Sequence, residues 1–298
     1  MKSPLVSVLM ITYGHEKYIE QAVTGVLSQK CDFEVELIVA NDKSPDYTDS
    51  IIQKILTNHP KASNVTYISR EKNWGIMPNF IDGLQHCKGK YTALCDGDDY
   101  WTDLSKISKQ VRFLEANLDH SMICHNARII YEGVDKKPAL FNKTQADGEI
   151  SMNAVINKWV IPTASILFRT ECIASIPGWF SKIYSADFSL ALLLRYSGKI
   201  FYSREVMSVY RITFTGFSMS AVIGKDIEFV GRQHIVLLDA FDAETGGLYS
   251  DLVTKRISEI NEELKFHRLS QKSQLWASVN MPKTFFNKLL SKVRRVVE

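Results

Sequence analysis

The chain has 298 residues, of which 45% are hydrophobic and 23% charged, so it can bury a large core. Its 36 basic residues nearly balance its 33 acidic residues, and a net charge of +3 argues against a nucleic-acid-binding protein. No run approaches the ~20 apolar residues of a membrane-spanning helix, and the first apolar run, Leu5–Ile11, is too short for the core of a signal peptide. Five scattered cysteines without paired spacing indicate reduced thiols, so we expect a cytoplasmic protein that is soluble or peripherally attached to a membrane.

Strand-like and helix-like patterns alternate through the amino-terminal third. Short apolar runs, typical of buried parallel strands, are followed by segments with apolar residues at helical spacing. The predicted strands are Leu5–Ile11, Val35–Ala40, Val65–Ile68 and Tyr91–Cys95, and the helices between them are His15–Gln29, Ser50–His59 and Ile76–His86. This order predicts an α/β fold with a doubly wound, mostly parallel sheet and helices on both faces.

The rest of the chain has a looser pattern. The predicted elements are a helix at Leu104–Leu118, strands at Met122–Tyr131 and Ser165–Phe168, a helix at Asp187–Tyr196 and a strand pair or hairpin at Lys199–Val209. From about Asp226 the chain is predicted to be mainly helical. Since no internal repeat or low-complexity linker interrupts it, we do not divide the chain into independent domains.

Polar residues stand where three of the predicted strands end. Thr12 and Tyr13 close the first strand, Asn41 and Asp42 the second, and the run Asp96 to Asp99 follows the fourth. Ligands of doubly wound sheets bind outside the carboxyl ends of the strands. The sequence therefore predicts one ligand site at this edge.

Asp96-Gly97-Asp98-Asp99 is the sharpest of these features. Its three carboxylates repel one another unless a cation or strong donors neutralise them, and Gly97 allows a tight turn after the strand. One or two carboxylates together with substrate phosphate oxygens are the usual ligands of Mg²⁺ or Mn²⁺. The plainer interpretation is a solvated acidic loop that caps the following helix.

Other polar and aromatic residues near this edge have two interpretations each. Asp42 can accept a hydrogen bond from a base or a ribose, or it can form an Asx turn. Tyr13 can stack on a base, or it can simply rim the core. The amides of Asn73 and Asn79 flank a helix start that suits a nucleotide, although an ordinary helix start explains them equally well.

Asp187 is an isolated acid in the otherwise uncharged stretch 183–194. It can complement the dipole of the apolar helix that begins there, or it can act as general base towards an acceptor hydroxyl. His15, His86, His120 and His125 show no spacing that indicates a joint metal site. The sequence also has no P-loop and no nucleophile elbow.

Taken together, these motifs resemble family 2 of the inverting glycosyltransferases, whose fold is called GT-A. The resemblance extends from Pro4 to Ser218. It is carried by the order and spacing of Pro4–Tyr13, Glu36–Ser44, Asn73–Gly75 with Asn79, and Lys88–Trp101, which ends in a DxD segment.

The resemblance implies roles that the residues alone do not establish. It implies that Asp42 binds the uracil and that Asp96 lies on the ribose side. It also implies that Asp98 binds the metal that bridges the diphosphate, and that Asp187 is the catalytic base. Val209-Tyr210-Arg211 resembles a motif that closes over the diphosphate, which makes Arg211 an anion contact. The full set implied to bind the nucleotide-sugar is Thr12, Tyr13, Asp42, Asn73, Asn79, Asp96 and Arg211.

Three positions depart from the family pattern. Lys43 replaces a small residue, Ala186 stands where an acid is frequent, and Thr213 stands where a histidine is frequent. The processive synthases' arginine-tryptophan motif and membrane helices are also absent from the sequence. The resemblance therefore implies addition of a single sugar.

The predicted organisation is a catalytic domain at 1–218 and a carboxyl-terminal helical extension at 219–298. Within the catalytic domain, 1–105 is the nucleotide-binding half and 106–218 the acceptor-binding half. From Lys265 onward basic residues alternate with apolar ones at near-helical spacing. Such a helix can lie on an anionic membrane surface or dock on the catalytic domain.

The sequence and the resemblance together predict a metal-dependent enzyme that moves one sugar from a nucleotide diphosphate-sugar, with UDP-sugars favoured, to an acceptor hydroxyl. Its acceptor is a glycan or lipid-linked saccharide of bacterial surface polysaccharide or glycolipid, at the inner face of the cell membrane. The expected cofactor is Mn²⁺ or Mg²⁺. A nucleotidyltransferase and a non-catalytic nucleotide-sugar-binding protein are the alternatives.

Overall fold

The computed structural model describes residues 4–157, 160–213 and 227–280, with side chains up to residue 269. Its ten strands are β1 (Val6–Thr12), β2 (Val35–Asn41), β3 (Val65–Ser69), β4 (Tyr91–Leu94), β5 (Tyr100–Trp101), β6 (His120–Tyr131), β7 (Ala139–Leu140), β8 (Gly148–Ile150), β9 (Leu167–Arg169) and β10 (Lys199–Ile212). The described α-helices are α1 (Ile19–Leu27), α2 (Thr48–Asn58), α3 (Ile76–Gln85), α4 (Lys106–Ala116), α5 (Met152–Asn157), α6 (Ala186–Ser197), α7 (Ile227–Glu244) and α8 (Ser250–Asn280).

All ten strands belong to one sheet with the order β3-β2-β1-β4-β9-β6-β10-β5, while β7 pairs with β6 and β8 with β10. The strands β1 to β4 are mutually parallel, as the alternation of apolar runs and helices predicts. The short strand β9 is antiparallel to both β4 and β6, so β6 again points in the direction of β4. The prediction of a mostly parallel sheet with helices is therefore confirmed. The second half of the sheet is mixed, because it contains antiparallel strands.

The segment predicted as a strand pair or hairpin is one long strand, β10, so that prediction is wrong. It runs parallel to β6 from Lys199 to Ile212, and the register shifts between Ser203 and Val206. The exposed residues 204 and 205 lie in this irregularity. At a β-bulge the extra residues are unpaired and can be polar, although the strand continues in the same direction. In the sequence, such polar residues resemble those of a turn.

The core has two apolar layers, one on each face of the sheet. On β1, Val6, Val8 and Met10 pack in the layer that contains the buried side of α1, whereas Leu9 packs in the layer that contains α3 and α6. A strand buried on both faces must be apolar at successive positions, because its side chains alternate between faces. This explains the nearly continuous apolar run at the start of the chain.

The predicted helical extension is present in its described part as α7 and α8. These helices pack against each other, α7 also contacts α6, and α8 contacts α5. Among the residues described, no helix has the length and apolar character needed to cross a membrane. The basic tail begins within α8 and is outside the described residues from 281 onward, and the proposed domain boundaries remain predictions.

A buried lysine at the start of α4 gives a testable pH dependence. Lys106 is fully buried, its Nζ donates to Oε1 of Gln110 at 2.8 Å, and it lies 3.9 Å from the ring centre of Trp101. Burial lowers the pKa of Lys106 from 10.5 to about 7. Between these pH values the unfolded chain binds the extra proton, so the free energy of unfolding rises with pH through this window.

We therefore expect the unfolding free energy of the wild type to rise above pH 7, relative to that of Lys106→Met, by about 1.4 kcal/mol per pH unit. Urea unfolding at several pH values from 7 to 9 measures it. Lys109→Met is the control: hydrogen bonds to Asp103 and Glu205 raise the pKa of Lys109, so it stays protonated in both states. Parallel curves for wild type and Lys106→Met would contradict the expectation.

Candidate active site

The carboxyl ends of β1, β2 and β4 meet at one edge of the sheet. Thr12 lies opposite Asn41 in the register of β1 and β2. Beyond the end of β4 the acidic loop continues alongside β1, because the N–H of Gly97 donates to the carbonyl of Ile11 at 3.0 Å. The polar residues that end these three strands are therefore neighbours in space.

Gly97 lets the acidic loop pack against the β1 end. A Cβ at this position would lie 2.6 Å from Oγ1 of Thr12 and 2.8 Å from Nδ1 of His15, distances that real Cβ atoms essentially never show. Any larger residue must therefore shift the acidic loop, or the side chains of Thr12 and His15 against which it packs. The glycine is required here by close approach.

Gly97→Ala should lower kcat/KM by about 10²-fold, since displacing positioning groups by about an ångström costs this much. We expect overpacking to cost about 1–3 kcal/mol of stability, so the variant folds. Steady-state kinetics and thermal unfolding measure the two effects. Gly178→Ala is the matched control, because a Cβ there meets open space and should change neither quantity. Wild-type kinetics for Gly97→Ala would contradict this account of the loop.

The three acids of the loop have different surroundings. Asp99 is 2% exposed, and its Oδ1 accepts the backbone N–H of Arg211 at 2.8 Å, which ties the loop to β10. Asp98 is more open, with its side chain 18% exposed. Burial, with the charge of Asp98, raises the pKa of both Asp96 and Asp99 well above the usual range. Asp99 thus has a structural role that the sequence did not indicate, and Asp98 faces the open side.

Arg211 lies beneath the acidic loop. It is 5% exposed, and its guanidinium donates to the carbonyl oxygen of Asp98 at 2.6 Å. Its other partners are protein groups: Glu132 (2.9 Å), Gln21 (2.8 Å) and the rings of Tyr18 and Tyr100, whose centres are 4.5 and 5.0 Å away. These contacts favour a role in positioning the loop, and direct contact with a diphosphate remains a prediction.

Asp42 fixes the loop that follows β3. It is 4% exposed, and its two carboxylate oxygens accept the backbone N–H groups of Trp74 at 2.7 Å and Gly75 at 2.8 Å. Asn73 is exposed in the same loop, and its side-chain oxygen also accepts the N–H of Gly75. Each carboxylate oxygen has a second lone pair, so the uracil contact remains a prediction for Asp42.

Asn79 and Tyr13 lie in contrasting surroundings. Asn79 is 2% exposed, its Nδ2 donates to the carbonyl of Ala40 and its Oδ1 accepts from Nε of Arg70. These bonds join α3 to β2 and favour a structural role over direct contact with the nucleotide. Tyr13 is 42% exposed at the end of β1, so its ring is available for stacking. Trp74 is 41% exposed in the loop after β3, and the guanidinium of Arg70 lies over its ring, 4.1 Å from the ring centre.

Asp187 lies in the first turn of α6 and accepts three hydrogen bonds. The hydroxyl of Thr163 donates to Oδ2 at 2.9 Å, while Ser185 Oγ and the N–H of Phe188 donate to Oδ1 at 2.7 and 2.9 Å. After burial and Asp98, the charge of Asp187 also raises the pKa of Asp96. Asp187 and the acidic loop, far apart in sequence, therefore lie within electrostatic range of each other.

Two further residues belong to this site, and the sequence reasoning missed both as site residues. Burial and the four aspartates 99, 187, 98 and 96 raise the pKa of Tyr210, so its phenol lies within electrostatic range of all four carboxylates. His15 lies between the strand end and the loop, with Nε2 3.8 Å from Oδ2 of Asp98. Both residues could have been identified from the sequence, because Tyr210 adjoins Arg211 and His15 lies three residues after Thr12.

The donor set fits a divalent cation that also binds substrate oxygens. Throughout the described residues, no group of three or more His, Cys, Asp or Glu side chains is arranged to hold an ion by itself. Mg²⁺ and Mn²⁺ sites of enzymes that bind phosphates commonly use one or two protein carboxylates, with phosphate oxygens and water as the other ligands. Asp98 meets this requirement, because its carboxylate is partly open and adjoins a second acid and an imidazole.

Comparison with known proteins agrees with this geometry. The model of glycosyl transferase family 2 matches residues 7–175. An uncharacterized protein of Mycobacterium tuberculosis (strain ATCC 25618 / H37Rv) is 34% identical over 206 residues, which are 69% of this chain and 58% of that protein. The Escherichia coli UDP-Glc:alpha-D-GlcNAc-diphosphoundecaprenol beta-1,3-glucosyltransferase WfaP is 35% identical over 111 residues, 37% of this chain and 41% of WfaP. The chain thus spans little more than half the length of the mycobacterial relative.

Two solved structures share the fold. S. aureus TarS in complex with UDP-GlcNAc has a TM-score of 0.57 at 20% identity, over 78% of this chain and 66% of that chain. The mannosyltransferase PcManGT from Pyrobaculum calidifontis in complex with GDP-Man and Mn²⁺ has a TM-score of 0.55 at 14% identity, over 98% of this chain and 85% of that chain. At these identities the likeness concerns the fold alone.

Proposed function

The chain belongs to glycosyltransferase family 2, and from this premise we propose that it transfers one sugar from a nucleotide diphosphate-sugar to an acceptor hydroxyl. The observation that carries the proposal is that Asp187 lies within electrostatic range of Asp96, and that both lie within range of Tyr210, near the acidic loop at the carboxyl edge of the sheet. A sugar transferase needs a site for the leaving diphosphate and a base for the acceptor. In this proposal Asp96 and Asp98 serve the diphosphate side, and Asp187 serves as the base.

The nucleotide half of the site consists of Tyr13, Asp42 and the loop of Asn73. Tyr13 offers an exposed ring for the base, and Asp42 retains accepting capacity for a base N–H or a ribose hydroxyl. UDP-sugars are the favoured donors because a carboxylate at Asp42 suits the N–H of uracil, as the family resemblance implies. The names of WfaP and of the TarS complex also include uridine nucleotides.

A divalent cation, Mn²⁺ or Mg²⁺, belongs with Asp98 in this proposal. Such an ion neutralises the charge that develops on a leaving diphosphate. Asp98 would hold it, Asp96 would lie towards the ribose, and Asp99 with Arg211 would keep the loop in place. The Mn²⁺ bound with GDP-Man in the PcManGT structure supports this assignment.

Asp187 is the proposed base. Thr163, Ser185 and the N–H of Phe188 fix its carboxylate in one orientation, which a proton acceptor requires. Asp187 takes the proton of the acceptor hydroxyl as this oxygen bonds to the anomeric carbon, and the bond from that carbon to the diphosphate oxygen breaks. One displacement of this kind inverts the anomeric configuration.

The proposed acceptor is a glycan or lipid-linked saccharide of bacterial surface polysaccharide or glycolipid. Support comes from WfaP, whose name gives its acceptor as a diphosphoundecaprenol-linked sugar. An acceptor of this kind would bring the protein to the cytoplasmic face of the membrane. The basic tail that could attach it there begins at Lys265 in α8, and its part beyond residue 280 lies outside the described residues.

A screen of UDP-, GDP- and TDP-sugars with Mn²⁺ and lipid-linked acceptors tests the proposal by measuring the released nucleoside diphosphate. We expect release with one donor class, stimulated by the acceptor and abolished by a chelator. Release of pyrophosphate from a nucleoside triphosphate and a sugar phosphate would instead establish a nucleotidyltransferase. Binding of a donor without turnover by any acceptor would favour the non-catalytic alternative.

A further inference from the structure

His15 occupies a fixed place beside the acidic loop. Its Nδ1 lies 3.1 Å from Oγ1 of Thr12, and its Nε2 lies 3.8 Å from Oδ2 of Asp98. The side chains of His15 and Asp98 are each 18% exposed, so both reach the open side of the site. Thr12 is 2% exposed on β1, which makes it a rigid support for the ring.

The separation of His15 from Asp98 is informative. At 3.8 Å the two atoms are too far apart for a hydrogen bond. Two atoms that ligate the same ion at about 2.1 Å each lie at most about 4.2 Å apart. Adjacent ligands of an octahedral ion lie about 3.0 Å apart, so a small movement of either side chain would bring both atoms within reach of one cation.

The contact with Thr12 is compatible with the tautomer that a metal requires. A metal-ligating histidine usually donates its other ring N–H to a neighbouring oxygen, and this bond fixes the ring and the free lone pair. When Nδ1 of His15 donates to Oγ1 of Thr12, Nε2 carries the lone pair on the side of Asp98. Close approach of Gly97 to Nδ1 further limits rotation of the ring.

We propose that His15 is a second protein ligand of the cation held by Asp98, so that the site binds its metal through one imidazole and one carboxylate. This inference rests on the proposed function, because it concerns the same cation. Its consequence is metal selectivity. An imidazole nitrogen suits Mn²⁺, Co²⁺ or Zn²⁺ better than Mg²⁺, which prefers oxygen ligands alone.

The test uses the purified full chain and Mn²⁺ as probe, first alone and then with uridine diphosphate. Electron spin-echo spectroscopy of the bound Mn²⁺ should show coupling to an imidazole nitrogen in the wild type and none in His15→Asn. Asparagine can keep the contact with Thr12 but lacks an atom at the Nε2 position. We expect the dissociation constant for Mn²⁺ to rise about tenfold or more, and that for Mg²⁺ to change much less.

Two further variants keep the result interpretable. His86→Asn is the matched control, because Nε2 of His86 also lies near an aspartate, 3.4 Å from Oδ2 of Asp82. His86 follows the carboxyl end of α3, whereas the amino end of α3 lies towards the site. It should leave the spectrum and both affinities unchanged. His15→Gln returns an amide oxygen towards the Nε2 position and should restore binding without the nitrogen coupling.

Absence of nitrogen coupling in the wild type, or its persistence in His15→Asn, would overturn the inference. In either case loss of Mn²⁺ binding in Asp98→Asn would leave the proposed cation site standing. Retention of tight Mn²⁺ binding in Asp98→Asn would instead contradict the cation site of the proposed function.

Discussion

Asp187→Asn should lower kcat by about 10²–10⁴-fold, the usual contribution of a general base, while the KM for the donor stays nearly unchanged. Asparagine has the size of aspartate, and its oxygen can still accept from Ser185 and the N–H of Phe188. The hydroxyl of Thr163 can turn to accept from the new amide. The variant thus retains the local structure and loses the proton acceptor, and steady-state kinetics with saturating donor measure the result.

The competing interpretation of Asp187 as a helix-dipole partner predicts a different outcome. Asp251 is the second residue of α8, as Asp187 is of α6, and each is the acid of the first turn. Removing either charge should cost about 0.3–1 kcal/mol of stability. We expect Asp251→Asn to share this small cost and to keep full kcat. Full activity in Asp187→Asn would show that the residue only complements its helix.

Asp98→Asn should lower kcat/KM by about 10³-fold, since neutralising the leaving diphosphate contributes several kcal/mol to the transition state. Asp98 is the partly open acid of the loop, so the substitution should leave the buried tie between Asp99 and Arg211 intact. Kinetics at increasing Mn²⁺ concentration measure the effect, and we expect excess metal to recover part of the loss.

Asp119→Asn is the control for this second experiment. Asp119 immediately precedes β6, at the amino ends of the parallel strands, and forms an ion pair with Lys199 at 3.0 Å. This substitution removes an equal charge from the opposite edge of the sheet, so we expect it to change neither kcat/KM nor the metal dependence. An equal loss in both variants would indicate a general effect of net charge and would contradict the role of Asp98.

The amino-terminal half of the fold was predictable because its signals are local. The runs that became β1 and β2 are apolar on both faces, and helices with one apolar stripe follow them. The polar strand ends could be placed at one edge by the general rule for parallel sheets. The family resemblance added the connection to Asp187, which no local pattern contains.

The remaining features depend on tertiary contacts. The bulge in β10 arises from pairing with β6, and the buried role of Asp99 from the backbone of Arg211. His15 approaches Asp98 because β1 and the loop lie side by side, and Asn79 is buried because α3 packs on β2. A sequence shows which residues are polar, but only the fold decides which polar residues face each other.

Calorimetric titration of uridine diphosphate into the wild type, with Mn²⁺ and then with a chelator, tests the central claim of a metal-assisted nucleotide-diphosphate site most directly. We expect binding with Mn²⁺ that is lost with the chelator and in Asp98→Asn, and that persists in Asp187→Asn. Binding of equal strength without metal, or no binding of any nucleoside diphosphate, would contradict the claim.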